Sequence, residues 1–126
     1  MSKQDENKEL VKKLLDTAFN QKDVEAAAEL LTDRYIQHNP SVPTGKSGFR
    51  QAIPGFYQMF PDLSWELKNI WSDGDHVIAH SHYHFAKEGN GSAIVDIFRI
   101  VDGKVDEHWD VSQEIPDKMA HDNGMF

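Results

Sequence analysis

Apolar positions recur at helical spacing near the start of the chain. Leu10, Val11, Leu14, Leu15, Ala18 and Phe19 make one stripe, which predicts a helix over residues 7–20. Asp23 has the side chain of an N-cap for a second helix over about residues 24–31, where Ala26, Ala27 and Ala28 suit close packing. Residues 35–40 (Tyr-Ile-Gln-His-Asn-Pro) read as a short extended piece entering a loop, and residues 42–46 carry loop chemistry. A third helix is expected from Ser47 as N-cap, with Phe49, Ile53, Phe56, Tyr57 and Phe60 on its buried face. Pro54 should kink it and Pro61 should stop it.

Beyond Pro61 the apolar period drops to two. Leu63, Trp65, Leu67, Asn69 and Trp71 alternate with Ser64, Glu66, Lys68 and Ile70. Asp73-Gly74 signals a hairpin, and strands follow over about residues 76–86, 93–101 and 104–113, the last two joined at Asp102-Gly103. The pattern predicts one α+β domain spanning residues 1–126. Three N-terminal helices cover one face of a curved antiparallel sheet of at least four strands. Residues 116–126 read as a tail whose Met125 and Phe126 are apolar enough to dock.

The composition narrows the function. The 126 residues fit one domain, and the absence of cysteine excludes disulfides, thiolate nucleophiles and cysteine-held zinc. No apolar run approaches the ~18 residues that span a bilayer. The charged N-terminus has no signal-peptide core, so a cytoplasmic location and no membrane partner are expected. The net charge of −8, with scattered basic residues, argues against a nucleic-acid partner.

Candidate chemistry lies on the strands. In His76-Val77-Ile78-Ala79-His80-Ser81-His82-Tyr83-His84, residues two apart share a face. His80, His82 and His84 therefore project together, about 7 Å apart. A one-residue slip of register exchanges them for Ala79, Ser81 and Tyr83. Asp96 shares a face with Phe98 and Ile100, and His108 shares one with Asp110, opposite Glu107, Trp109 and Val111. Asp96 lies within an apolar run, where an unpaired carboxylate is costly. The expected site is a concave cluster of His80, His82, Asp96, His108 and Asp110. His38 closes it from the loop before the third helix, and Tyr35, Phe56, Tyr57, Trp71 and Phe98 line the rest. A carboxylate beside an imidazole can move a proton near neutral pH. Two alternatives stand beside this reading. One is a non-catalytic binder of a small hydrophobic metabolite. The other is a zinc or iron enzyme using His80, His82 and His108 with Asp96 or Asp110. Arg99 and Glu107 are expected to pair across strands.

Several stretches together resemble a known family. They are residues 35–40, Gly45, His80, residues 96–100 (Asp-Ile-Phe-Arg-Ile), residues 103–111 (Gly-Lys-Val-Asp-Glu-His-Trp-Asp-Val), Gln113, Pro116 and residues 122–126. In these the chain resembles, over nearly its whole length, the SnoaL-like polyketide cyclase and aldol-condensation proteins of the nuclear transport factor two-like superfamily. The resemblance implies a cone-shaped α+β barrel. It also implies a ring-closing aldol condensation with no metal and no cofactor. Asp110 is by position the residue most similar to the family's acid/base carboxylate, with Asp96, His80 and His38 as its neighbours. The expected function is that of a small-molecule lyase, cyclase or isomerase. Asp110 or Asp96 takes a proton α to a carbonyl, and His38, His80 or His108 hydrogen-bonds the enolate oxygen. A homodimer is expected through the convex sheet face carrying Ile97, Val101, Trp109 and Val111.

Overall fold

The chain enters α1 (Lys3–Phe19) at Ser2, whose hydroxyl accepts the Asp5 amide, and α2 (Val24–Ala28) at Asp23, whose carboxylate accepts the Ala26 amide. The structure is a computed structural model that describes residues 1–126. After α2 come β1 (Leu31–Gln37), α3 (Lys46–Met59), β2 (Ser64–Asp73), β3 (His76–His84), β4 (Ser92–Val101) and β5 (Lys104–Glu114). The strand order is β1-β5-β4-β3-β2. The four predicted strands form the antiparallel meander, closed at one hairpin by Asp102 and Gly103 with φ of 49° and 76°.

The sheet has a fifth strand, β1, and departs from the expected antiparallel arrangement in that β1 runs parallel to β5. It is therefore mixed and open, curled around the three helices. The second helix accordingly ends at Ala28 rather than near Leu31. The Leu30 carbonyl accepts the Val105 amide at 2.9 Å, and Leu31, with no exposed surface, opens β1 opposite Val105. As a strand residue Leu31 is buried in the core between helices and sheet, which removes its apolar surface from water. Helix α3 begins one residue before Ser47, after Gly45 at φ 90°, and contains Pro54. Gly48 lies against the preceding loop, where a Cβ would stand 2.6 Å from the Pro43 carbonyl oxygen.

Two register features decide what faces inward. On β3 the buried positions are Val77, Ala79, Ser81 and Tyr83, so the histidines occupy the convex face. The small Ala79 and Ser81 are fully buried on the inner face, while half-buried imidazoles on the outer face avoid full desolvation. On β2 the ladder shifts between Leu67 and Asn69. This bulge brings Ile70 onto the core beside Trp65 and Leu67, and turns Trp71 outward, 51% exposed. The expected alternation through Trp71 fails at that one extra residue. Truncating Ile70 to Ala should therefore cost about 1–2 kcal/mol in chemical denaturation, and Trp71→Ala less. Equal costs would contradict the bulge.

No helix is long and apolar enough to cross a membrane. The tail does dock. The Phe126 ring stacks on His82 with centroids 5.1 Å apart and meets His80 at 5.2 Å.

Candidate functional site

Helices α1 and α3 and the concave sheet face enclose a cavity of about 260 Å³. Fifteen of its twenty-two lining residues are apolar, which suits a largely apolar guest. Its polar groups gather on one wall. β1 and the loop after it supply Tyr35, Gln37 and Asn39; β3 supplies Tyr83, β4 Asp96, and β5 His108, Asp110 and Ser112. Register explains the convergence. Asp96 and Asp110 are direct cross-strand partners, and Gln37 is opposite His108.

Hydrogen bonds fix much of the proton arrangement on this wall. Gln37 Oε1 accepts the amides of His38 and Asn39 at 3.0 and 2.9 Å. Only an oxygen can accept two backbone N–H groups, so the amide orientation is settled. His108 Nδ1 lies 2.7 Å from that same oxygen and must therefore donate to it. On the far side of the ring, His108 Nε2 stands 2.8 Å from Asp96 Oδ1. That contact needs one proton. The pair is either imidazolium with carboxylate, or neutral imidazole with carboxylic acid. Tyr83 donates to Asp96 Oδ2 at 2.7 Å. Burial, reinforced by the Asp96 carboxylate, keeps the Tyr83 proton in place far above the usual phenol range. His108 and Asp96 are almost fully buried, so this contact is shielded from bulk water.

Asp110 is placed differently. Asn39 Nδ2 donates to both of its oxygens at 3.0 and 2.8 Å, and His108 Nε2 is 3.8 Å from Oδ2. Its carboxylate thus lines the cavity with acceptor capacity to spare. Tyr35 also faces the cavity. Its oxygen accepts from Gln37 Nε2 at 3.1 Å, which leaves its own proton available to a guest. Burial, then the nearby Asp96, holds that proton on the phenol well above the usual range. The wall therefore combines a carboxylate held by a single amide group, a shared proton and a phenol donor, a set suited to moving a proton from carbon to oxygen.

Of the residues expected here from sequence, Asp96, Asp110, His108, Tyr35, Phe56 and Phe98 line the cavity. Five do not, and each has a physical reason. His80 and His82 project from the convex face, because β3 turns its other side inward. His38 continues the β1 alternation and points away from Gln37 and Asn39. Its Nε2 lies 2.7 Å from Glu107 Oε2 and its ring stacks on Trp109 at 5.1 Å. Trp71 is turned out by the β2 bulge. Tyr57 donates its hydroxyl to the Ala18 carbonyl, tying α3 to α1, and burial pushes its pKa up to about 12. The expected Arg99–Glu107 pair is present, with Arg99 Nη2 2.9 Å from Glu107 Oε1. The metal set of His80, His82 and His108 is dispersed over two faces of the sheet. In the cavity, His108, Asp96 and Asp110 keep donor atoms within 4.8 Å of one another. The 2.8 Å separation of His108 and Asp96 is a hydrogen bond, shorter than the ~3.4 Å edge between two ligands of one metal.

Gln37, Asn39 and Tyr83 were not among the expected site residues. The signal for the first two was the alternation Tyr35-x-Gln37-x-Asn39 within the stretch read as a short extended piece entering a loop.

Among curated protein sequences none matches. The fold is shared with solved structures. A candidate polyketide cyclase from Acidithiobacillus ferrooxidans superposes with a TM-score of 0.75 at 17% identity, over 89% of this chain and 91% of the other. TsrD from Streptomyces laurentii gives 0.72 at 25% identity, over 89% and 90%. A candidate ketosteroid isomerase from Kribbella flavida gives 0.74 at 21% identity, over 96% and 87%. Residues 11–108 match the model of the SnoaL-like domain, a stretch that ends at one of the buried residues of the polar wall. The chain belongs to the SnoaL-like family.

Proposed function

We propose that this protein is a lyase, cyclase or isomerase acting on a small, mostly apolar carbonyl compound. The observation that carries the reading is the polar wall itself, with Asp110 beside a His108–Asp96 contact that holds one proton. In this reading Asp110 removes a proton α to the carbonyl. The Tyr35 hydroxyl and the proton held by His108 and Asp96 stabilise the oxygen as charge builds on it. The apolar remainder of the cavity strengthens those interactions by excluding water. No step requires a cofactor. Relatives in fold described as candidate polyketide cyclases and as a candidate ketosteroid isomerase favour the same reaction class.

The test is deuterium incorporation. A panel of small apolar ketones and β-dicarbonyl compounds is incubated with untagged protein in D2O. Enzyme-dependent exchange at the α-carbon is expected for at least one member. Chemical-shift changes at cavity residues without any exchange would instead identify a binder. We also propose a homodimer through the β4–β5 part of the convex face. Ile97 and Trp109 are half-buried there and Val111 is exposed. Sedimentation equilibrium should give twice the chain mass, and a monomer at micromolar concentration would overturn this assembly.

A further inference from the structure

Away from the cavity, on the convex face, β2 and β3 bring one glutamate beside two histidines. Glu66 and His82 are direct cross-strand partners, and His84, two residues on, shares their face. His82 and His84 have ring centroids 3.8 Å apart, and His82 Nδ1 lies 4.0 Å from Glu66 Oε1. One donor atom from each of the three lies within 4.8 Å of the others. The 4.0 Å separation is too long for a hydrogen bond and only slightly wider than the ~3.4 Å edge of a tetrahedral zinc site.

The tautomer of His82 is set from behind. Its Nε2 lies 2.7 Å from the Asn90 carbonyl, which can only accept, so Nε2 carries the proton. Nδ1 is then a bare lone pair in the neutral ring, aimed at the side where Glu66 stands. A histidine whose far nitrogen donates to a backbone carbonyl is the usual arrangement behind a metal ligand. Gly91 keeps this support close, because a Cβ there would stand 2.2 Å from the Tyr83 carbonyl oxygen and 3.2 Å from His82 Nε2. The other neighbours are Lys68, with Nζ 3.1 Å from Glu66 Oε1, and the Phe126 ring on the face of His82. Phe126 stacks on the face of the ring, with centroids 5.1 Å apart. Lys68 is exposed enough to swing aside and would oppose the cation.

We propose that Glu66, His82 and His84 form a zinc(II) site on the convex face, separate from the cavity. Two imidazoles and one carboxylate suit a borderline cation and leave a fourth position for water. An ion there would bridge β2 to the end of β3, beneath the docked tail.

The test is calorimetric titration of untagged full-length protein with zinc chloride alone. One ion per chain is expected to bind saturably. His82→Gln and His84→Gln should each weaken it by about tenfold or more. Lys68→Met should tighten it, and the cavity pair Asp96→Asn with His108→Gln should leave it unchanged. Should a variant misfold, 15N shifts of the wild-type imidazoles report the same thing, with zinc moving His82 Nδ1 and a His84 nitrogen but not His108. No saturable binding up to about 0.1 mM zinc would overturn the proposal. So would binding that follows His108 and Asp96.

Discussion

Asp110→Asn is expected to lower enzyme-dependent α-proton exchange by about 10²–10⁴-fold while leaving affinity for the same compound within a few-fold. The substitution is nearly isosteric. Its side-chain oxygen still accepts from Asn39 Nδ2, which now reaches both carboxylate oxygens, so the wall keeps its shape. What is lost is the carboxylate on that wall whose two contacts both come from one neutral amide group. Asp96 cannot take its place, because its oxygens are committed to His108 and Tyr83. Equal losses in affinity and exchange would show that Asp110 serves binding alone. Asp96→Asn makes a useful contrast. His108, protonated at Nδ1 by its bond to Gln37, can accept an amide N–H at Nε2, so folding should survive. Exchange should fall because no proton remains to be shared.

Asp106→Asn is expected to destabilise the fold by about 2 kcal/mol at neutral pH, with the loss fading in acid. Asp106 is buried at the β4–β5 irregularity, outside the cavity. It accepts from the Thr32 hydroxyl at 2.7 Å, from Arg34 Nε at 2.9 Å and from Arg99 Nη2. It therefore ties the parallel strand β1 to the meander. The Arg34 hydrogen bonds, aided by Thr32 and Arg99, hold its carboxyl well below the ordinary 3.8. A depressed folded-state pKa means that its stabilisation is complete above the unfolded value and is lost as pH falls through the folded one. The difference between wild type and variant should thus be full at pH 7 and shrink well below pH 4. Because Arg34 is largely exposed, the loss stays below the 3–5 kcal/mol of a fully buried pair. Urea denaturation at neutral and acid pH measures both values. A difference independent of pH would show that shape rather than charge matters at this position.

The parts of the fold legible in the sequence were those set by local period. The stripe from Leu10 to Phe19, the alternation in β3 to β5 and the Asp102-Gly103 turn each declare themselves within a dozen residues. Asp96 was legible because a carboxylate amid Ile94, Val95, Ile97 and Phe98 needs a partner, and His108 and Tyr83 supply it. What escaped depends on contacts distant in sequence. β1 is a strand because β5, about seventy residues later, pairs with it. Its inward side chains, Gln37 and Asn39, therefore read only as part of a short extended piece entering a loop. Alternation alone cannot say which side of a strand meets the helices. In β3 the inner side proved to be Val77, Ala79, Ser81 and Tyr83, and the conspicuous histidines face out. Trp71 failed for a third reason, a single inserted residue that no period reveals.

The role of Asp110 as the base is decided by a crystal structure of Asp110→Asn with an exchanging carbonyl compound bound. The compound is expected in the cavity between α1, α3 and the sheet. Its acidic α-carbon should lie about 3–3.5 Å from the residue-110 side chain, with its oxygen towards Tyr35 and His108. A compound bound outside the cavity, or one whose α-carbon faces the apolar wall of Phe49, Ile53 and Phe56, would contradict that role.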